Sequence, residues 1–162
     1  ARRLGVRTAS LYNHVESLGE LLELVGFAAI DAMVDAEERA IRGLSGEDAL
    51  FSLADAYRGF AKAHRALYAT IMQMQRLPNR VLGQAAGKII DPIFRVLETF
   101  AVPWEEQIHW QRVLRSVMHG FIAHEEAGGF SHFSADRQES YHLAISCVAK
   151  GLQAAGKEKE PQ

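Results

Sequence analysis

Arg7, Thr8, Ala9, Ser10, Tyr12, Asn13 and His14 fall in one short segment rich in the hydrogen-bonding groups that nucleic-acid recognition uses. Arginine, hydroxyl and imidazole groups reach phosphate oxygens, and arginine, asparagine and threonine read base edges in the major groove. Between them lie Leu11 and Val15, four residues apart, which share one helical face with Val6 and Leu18. The spacing predicts a short helix over about 8–14 with a polar outer face. Gly5 stands where a helix-to-helix turn needs positive φ, and Thr8 or Ser10 can cap the helix that follows. The pattern reads as the turn and second helix of a helix-turn-helix. Charge is arranged to match: residues 1–15 hold three arginines and no acid, whereas residues 16–38 hold seven acids and no Lys or Arg. A basic tip on an acidic stem suits a protein that faces DNA with one end.

Other chemistry finds little support. Five of the seven histidines (His109, His119, His124, His132 and His142) lie in the last third, but no His-Glu-x-x-His arrangement occurs and no two sit four apart on one helix. No metal site and no cofactor are expected. Neither a Gly-x-Ser-x-Gly elbow nor a glycine-rich phosphate loop is present, so no catalytic residues are assigned and the chain is not read as an enzyme. Glu105/Glu106 and Glu125/Glu126 read as solvated charge at helix ends. Cys147, the single cysteine, lies in an apolar helical run and is expected to be buried and inert.

The middle of the chain is rich in large, adaptable apolar groups. Tyr57, Phe60, Tyr68, Met72, Phe94, Trp110, Leu114 and Met118, with His119 or His64 as a polar anchor, are the candidate lining of a small-molecule cavity, and a plain core is the alternative for each. Few charges fall on these faces, which favours a neutral or mainly hydrophobic effector. Gly120 costs about 1 kcal/mol relative to alanine inside a helix. Close approach of another helix, or of a ligand, is expected to offset that cost.

Leu4-Gly5-Val6, Leu11-Tyr12-x-His14-Val15 and Leu21-Leu22 together resemble the DNA-binding signature of TetR-type transcriptional repressors. Arg112, Arg115-Ser116, His119-Gly120-Phe121 and Gly128-Gly129-Phe130 resemble the C-terminal half of a subgroup named for a Trp-His-Gly motif. The tryptophan of that name is displaced here, since Arg115 and Ser116 occupy its turn and the nearest tryptophan is Trp110. The resemblance spans residue 1 to about residue 154. It implies that Tyr12 and His14 contact phosphate or the groove, and that Arg7, Thr8 and Ala9 form the base-reading end, with Asn13 beside them. Many members carry a phosphate-touching lysine where this chain has Leu18. The resemblance also implies two helices before the recognition helix, and Ala1-Arg2-Arg3-Leu4 reads as the tail of the second.

These residues are positioned by helices throughout. Strands are not expected, because no alternating run is bounded by hairpin turns. Seven helices are predicted. After the recognition helix, Ser17 caps a long connector to about Gly43, with Glu20 completing a capping box. Ser45 starts the next helix, a break near His64 leads into a short one, and Pro78 interrupts the chain. Pro92 should kink or split the helix over about 80–100. Pro103 opens the next helix, Gly128-Gly129 ends it, and Ser134 is the expected cap of a last helix over about 135–154.

With 162 residues, 48% hydrophobic residues and a net charge of −2, the chain is expected to build a real core and not to coat nucleic acid. No apolar run approaches the roughly 18 residues of a membrane span. A lone cysteine suits the cytoplasm. The fold expected is all-α: residues 1–42 as the remnant of a helix-turn-helix DNA-binding domain with its connector, residues 43–155 as a helical ligand-binding and dimerisation bundle, and residues 156–162 as a disordered tail. The function expected is that of a DNA-binding transcriptional regulator, a repressor released from operator DNA by a small-molecule effector and working as a homodimer through its last two helices. The alternative is a helical small-molecule or cofactor-binding protein without DNA binding.

Overall fold

The computed structural model describes residues 15–74 and 79–157, giving the helix alone over 79–86. Six helices occupy the described residues, with no strand among them: α1 Leu18–Ile41, α2 Gly46–Ala63, α3 Arg65–Met74, α4 Asn79–Glu98, α5 Trp104–Glu126 and α6 Arg137–Lys157. The recognition helix expected over 8–14 and the Pro78 interruption lie outside the described residues.

Local chemistry accounts for most helix ends. Ser17 caps α1, its Oγ accepting from Glu20 N at 3.0 Å. The Glu20 carboxylate reaches back to the backbone N–H of Glu16, one residue earlier than a standard capping box. Gly43, at φ +74°, follows the end of α1. Ser45 stands at the start of α2 without a side-chain cap bond; the first N–H of the helix, on Gly46, donates instead to Thr99 Oγ1 at 2.9 Å. Thr99 belongs to the turn after α4, so this cap is tertiary. Ser134 does not cap α6 either. Asp136 does, its Oδ1 accepting from Gln138 N at 2.7 Å and Glu139 N at 2.9 Å. Those two backbone bonds hold the Asp136 carboxyl below its usual range. α6 runs on through Gly156 and Lys157, past the expected start of the tail.

Pro92 does not split its helix: α4 is continuous from Asn79 to Glu98. The helix packs on α1, α2 and α5, and Ile89, Ile93, Val96 and Leu97 supply its buried stripe. Burial of that stripe outweighs the single backbone bond that proline removes.

One core runs through the bundle. α1 lays Ala29, Ile30, Met33 and Ile41 against α2, α3 and α4, so the connector is part of the packed body. Leu50, Leu53 and Ala54 of α2 meet Leu114, Met118 and Ile122 of α5 and Tyr141, Ile145 and Leu152 of α6. Three glycines allow close approach, among them Gly156, where a Cβ would lie 2.2 Å from the Phe100 carbonyl oxygen. A Cβ on Gly26 would lie 1.8 Å from Met74 Sδ, and one on Gly151 would lie 2.4 Å from Cη2 of Trp110. Gly120 is different. Nothing lies within 4 Å of a Cβ built there, so the packing expected around it is absent within the described chain. Cys147 is also exposed, contrary to expectation, because α6 turns Tyr141, Ile145, Val148 and Leu152 inward and leaves Leu143 and Cys147 on the opposite face.

Candidate ligand cleft

Tyr57 of α2, Tyr68 of α3 and His119 of α5 meet in a chain of polar contacts. The two phenol oxygens are 3.2 Å apart, and Tyr68 Oη lies 2.7 Å from His119 Nδ1. Both tyrosines are buried, whereas His119 is exposed, so the chain runs from the core to the surface. Burial raises the pKa of both phenols and keeps them neutral.

Around this chain lies a cleft of about 210 Å³ lined by Tyr57, Met72, Arg112, Arg115, Ser116 and His119. α5 contributes four of these, and the i, i+3, i+4 and i+7 spacing of 112, 115, 116 and 119 places them on one helical stripe. Met72 and the Tyr57 ring supply the apolar wall.

Glu37 of α1 lies within electrostatic reach of Arg115 and Tyr57, which line the cleft. Its residue is 1% exposed, and neither carboxyl oxygen has a hydrogen-bond partner. Burial, reinforced by the neighbouring charge of Glu38, pushes its pKa up to about 8 against the pull of Arg115. Glu37 is therefore mainly protonated at pH 7. Arg115 and Glu37 also act on Tyr57 in opposite directions, which places all three groups within electrostatic reach of one another.

A second polar cluster holds the far side of α2. Arg58, buried, donates from Nε and Nη2 to the Glu125 carboxylate at 2.9 and 2.7 Å, and from Nη1 to Gln138 Oε1. Its guanidinium also lies over the Phe121 and Tyr141 rings, 5.6 and 5.2 Å from their centroids. These bonds leave the Arg58 fork occupied. The cluster ties α2 to α5 and α6 and is structural.

The structure thus brings Tyr57, Tyr68, Met72 and His119 together and separates others from them. Phe60 is buried beside His64, with ring centroids 5.0 Å apart. Leu114 and Met118 are fully enclosed in the core. Phe94 packs against Trp104 at 4.9 Å, and Trp110 faces Gly151 of α6. Arg7, Thr8, Ala9, Ser10, Tyr12, Asn13 and His14 lie outside the described residues. Glu37, Arg112, Arg115 and Ser116 were not singled out as ligand residues from the sequence. The i, i+3, i+4, i+7 stripe of polar groups on an otherwise apolar helix was the available signal for three of them. A few charges do reach the cleft, contrary to the expectation of a site almost without them.

Among the described residues the class is an all-α helical bundle with a part-polar cleft, packed around the long helix α1. Residues 50–148 match the family model described as the tetracyclin repressor-like C-terminal domain. The chain belongs to the TetR family. It is 29% identical over 137 residues to Rv0681 of Mycobacterium tuberculosis, an uncharacterized HTH-type transcriptional regulator, covering 84% of this chain and 63% of that protein. It is 24% identical to YobS of Bacillus subtilis, also an uncharacterized HTH-type transcriptional regulator, over 94% of this chain and 78% of that one. The chain thus spans less than two thirds of the mycobacterial relative's length. A solved structure from Rhodococcus sp. RHA1, of a protein with unknown function, shares the fold with a TM-score of 0.80 at 22% identity, covering 94% of this chain and 82% of that one. Among the described residues no helix is long and apolar enough to cross a membrane.

Proposed function

We propose that the protein is a DNA-binding transcriptional regulator, a repressor that leaves its operator when a small, mainly hydrophobic molecule enters the cleft at Tyr57, Met72 and His119. The observation that carries this reading is the position of α1. This helix follows directly on the helix-turn-helix residues and buries Glu37 within reach of Tyr57 and Arg115. A ligand that moves these groups acts on the helix that leads to the DNA-contacting segment. The names of the mycobacterial and Bacillus relatives support the same function.

The protein acts as a homodimer through the outer faces of α5 and α6, where Val113, Leu143 and Cys147 are exposed. Two-fold symmetry then spaces two recognition helices about one DNA turn apart, roughly 34–36 Å. Effector binding favours another spacing through its differential affinity for the two states.

The test is operator binding by the natural full-length protein, followed by fluorescence anisotropy across a salt series. Binding should weaken steeply with salt. Tyr12→Ala or His14→Ala should weaken binding to every sequence, and Thr8 or Asn13 substitutions should change which sequence is preferred. Equal affinity of the Tyr12→Ala and wild-type proteins for operator would refute the DNA-contact assignment. Absence of any DNA binding would favour the purely ligand-binding alternative.

A further inference from the structure

The cleft's charges point to a particular ligand chemistry, and the inference rests on the reading of the cleft as the effector site. Arg112 and Arg115 stand one turn apart on α5, and among the described residues neither has an ion-pair or hydrogen-bond partner. The guanidinium of Arg58 on α2, by contrast, is fully engaged within the fold. The Ser116 hydroxyl and the His119 ring add polar groups on the same wall. Within electrostatic reach of Arg115, the Glu37 carboxyl is almost fully buried and lacks any partner for either oxygen. We propose that the cleft binds a small organic carboxylate, its head held by Arg112 and Arg115 and its apolar body against Met72 and the Tyr57 ring.

Arginine pairs with a carboxylate through two parallel bonds, and such charge-assisted bonds are about twice as strong as neutral ones. A cation would meet two uncompensated positive charges. At about 210 Å³ the cleft is also smaller than the roughly 300–1,000 Å³ typical of drug-sized ligands, which favours a small acid.

Glu37 decides whether an anion is tolerated. Held up near 8 by burial, its carboxyl is neutral at pH 7 and leaves Arg115 without a competing carboxylate. Above that range Glu37 becomes a carboxylate and competes for Arg115. The other groups in electrostatic reach do not reverse this. Glu38, from α1 itself, is paired with Arg95 of α4, and burial keeps Tyr57 of α2, Tyr68 of α3 and Tyr141 of α6 neutral. Glu126, at the exposed end of α5, acts on Tyr68.

Calorimetry on the purified protein tests this with three probes of one shape: 4-phenylbutyrate, its amide and 4-phenylbutylamine. At pH 7.5 the carboxylate should bind about tenfold or more tighter than the amide. Arg115→Gln should erase that preference, and Arg112→Gln, at an exposed position, should reduce it without unfolding the protein. Carboxylate affinity should fall as pH rises from 7.5 to 9.5 in the wild type and stay level in Glu37→Gln. Equal or tighter binding of the amide or the amine overturns the proposal, as does a carboxylate preference that survives both arginine changes, or failure of all three probes to bind. The operator assay separates this from the regulator reading. A carboxylate that binds without releasing operator leaves the anion site standing and defeats the repressor mechanism. A neutral compound that binds and releases operator does the reverse.

Discussion

Arg58 of α2 closes both carboxylate oxygens of Glu125 of α5, 67 residues further along the chain, at 2.7 and 2.9 Å. Arg115, on the same helix as Glu125, lies within electrostatic reach of the buried acid Glu37 and forms no such pair. The two sites differ in completeness. The first satisfies its charges within the fold, and the second leaves a buried carboxyl without a partner near an arginine that lines a cleft.

Removing one partner of the closed pair should be costly. Arg58→Met leaves the Glu125 carboxylate with only the exposed Lys62, 3.8 Å away, and should lower stability by about 1–3 kcal/mol. The double variant Arg58→Met/Glu125→Leu should lose clearly less, because no buried charge is left alone. Urea denaturation of the four proteins of this cycle gives the answer. The hydrogen bonds from Arg58 hold the Glu125 carboxyl below its ordinary 4.5. Its contribution is therefore full above that value and is lost as pH falls through the lower folded-state value.

Glu37 works in the opposite direction. Its folded-state pKa of about 8 exceeds the ordinary 4.5, so the folded protein holds a proton that the unfolded chain releases. Stability should decline as pH rises from 4.5 to about 8, by on the order of a few kcal/mol in total, and level off beyond. Glu37→Gln should flatten this dependence, and Glu37→Met should be more stable than wild type at pH 8.5. Denaturation curves at pH 5, 7 and 8.5 for the three proteins would show it. A Glu37→Gln protein with the wild-type pH profile would mean that this carboxyl is not the group responsible.

The glycines separate by their neighbours. Gly151→Ala drives a Cβ into the rigid Trp110 ring and should cost about 1–3 kcal/mol. Gly26→Ala meets the flexible end of Met74, which can swing aside, so its cost should be smaller. Thermal melts of the two variants rank them directly, and a Gly151→Ala protein as stable as wild type would contradict the Trp110 packing.

Exposed Val113 and Leu143 test the proposed pairing face. Val113→Glu and Leu143→Glu should weaken the dimer by about tenfold or more while leaving each protomer's helix content unchanged. Sedimentation equilibrium at micromolar concentration reads this. Dimers of unchanged affinity in both variants would move the interface elsewhere.

Helix content and several helix limits were readable from the chain because they depend on bonds between near neighbours. The Ser17 cap, the Gly43 end, the Pro103 start with Glu105 and Glu106 in the first turn, and the Gly128 turn are all of this kind. Tyr57, Tyr68, Met72 and His119 were also nameable, since size and residue type mark them. What joins them was not. Thr99 caps a helix from 53 residues away, Asp136 replaces Ser134, Cys147 faces outward, and Gly120 meets nothing. Arg112, Arg115 and Ser116 become a cleft wall only once α5 has turned that stripe toward Tyr57 and Met72. Glu37 looks like one more acid on an acidic helix until α1 packs into the bundle and strips its carboxyl of water. Periodicity marks which residues share a face, but which face meets which helix is decided by packing across the whole core.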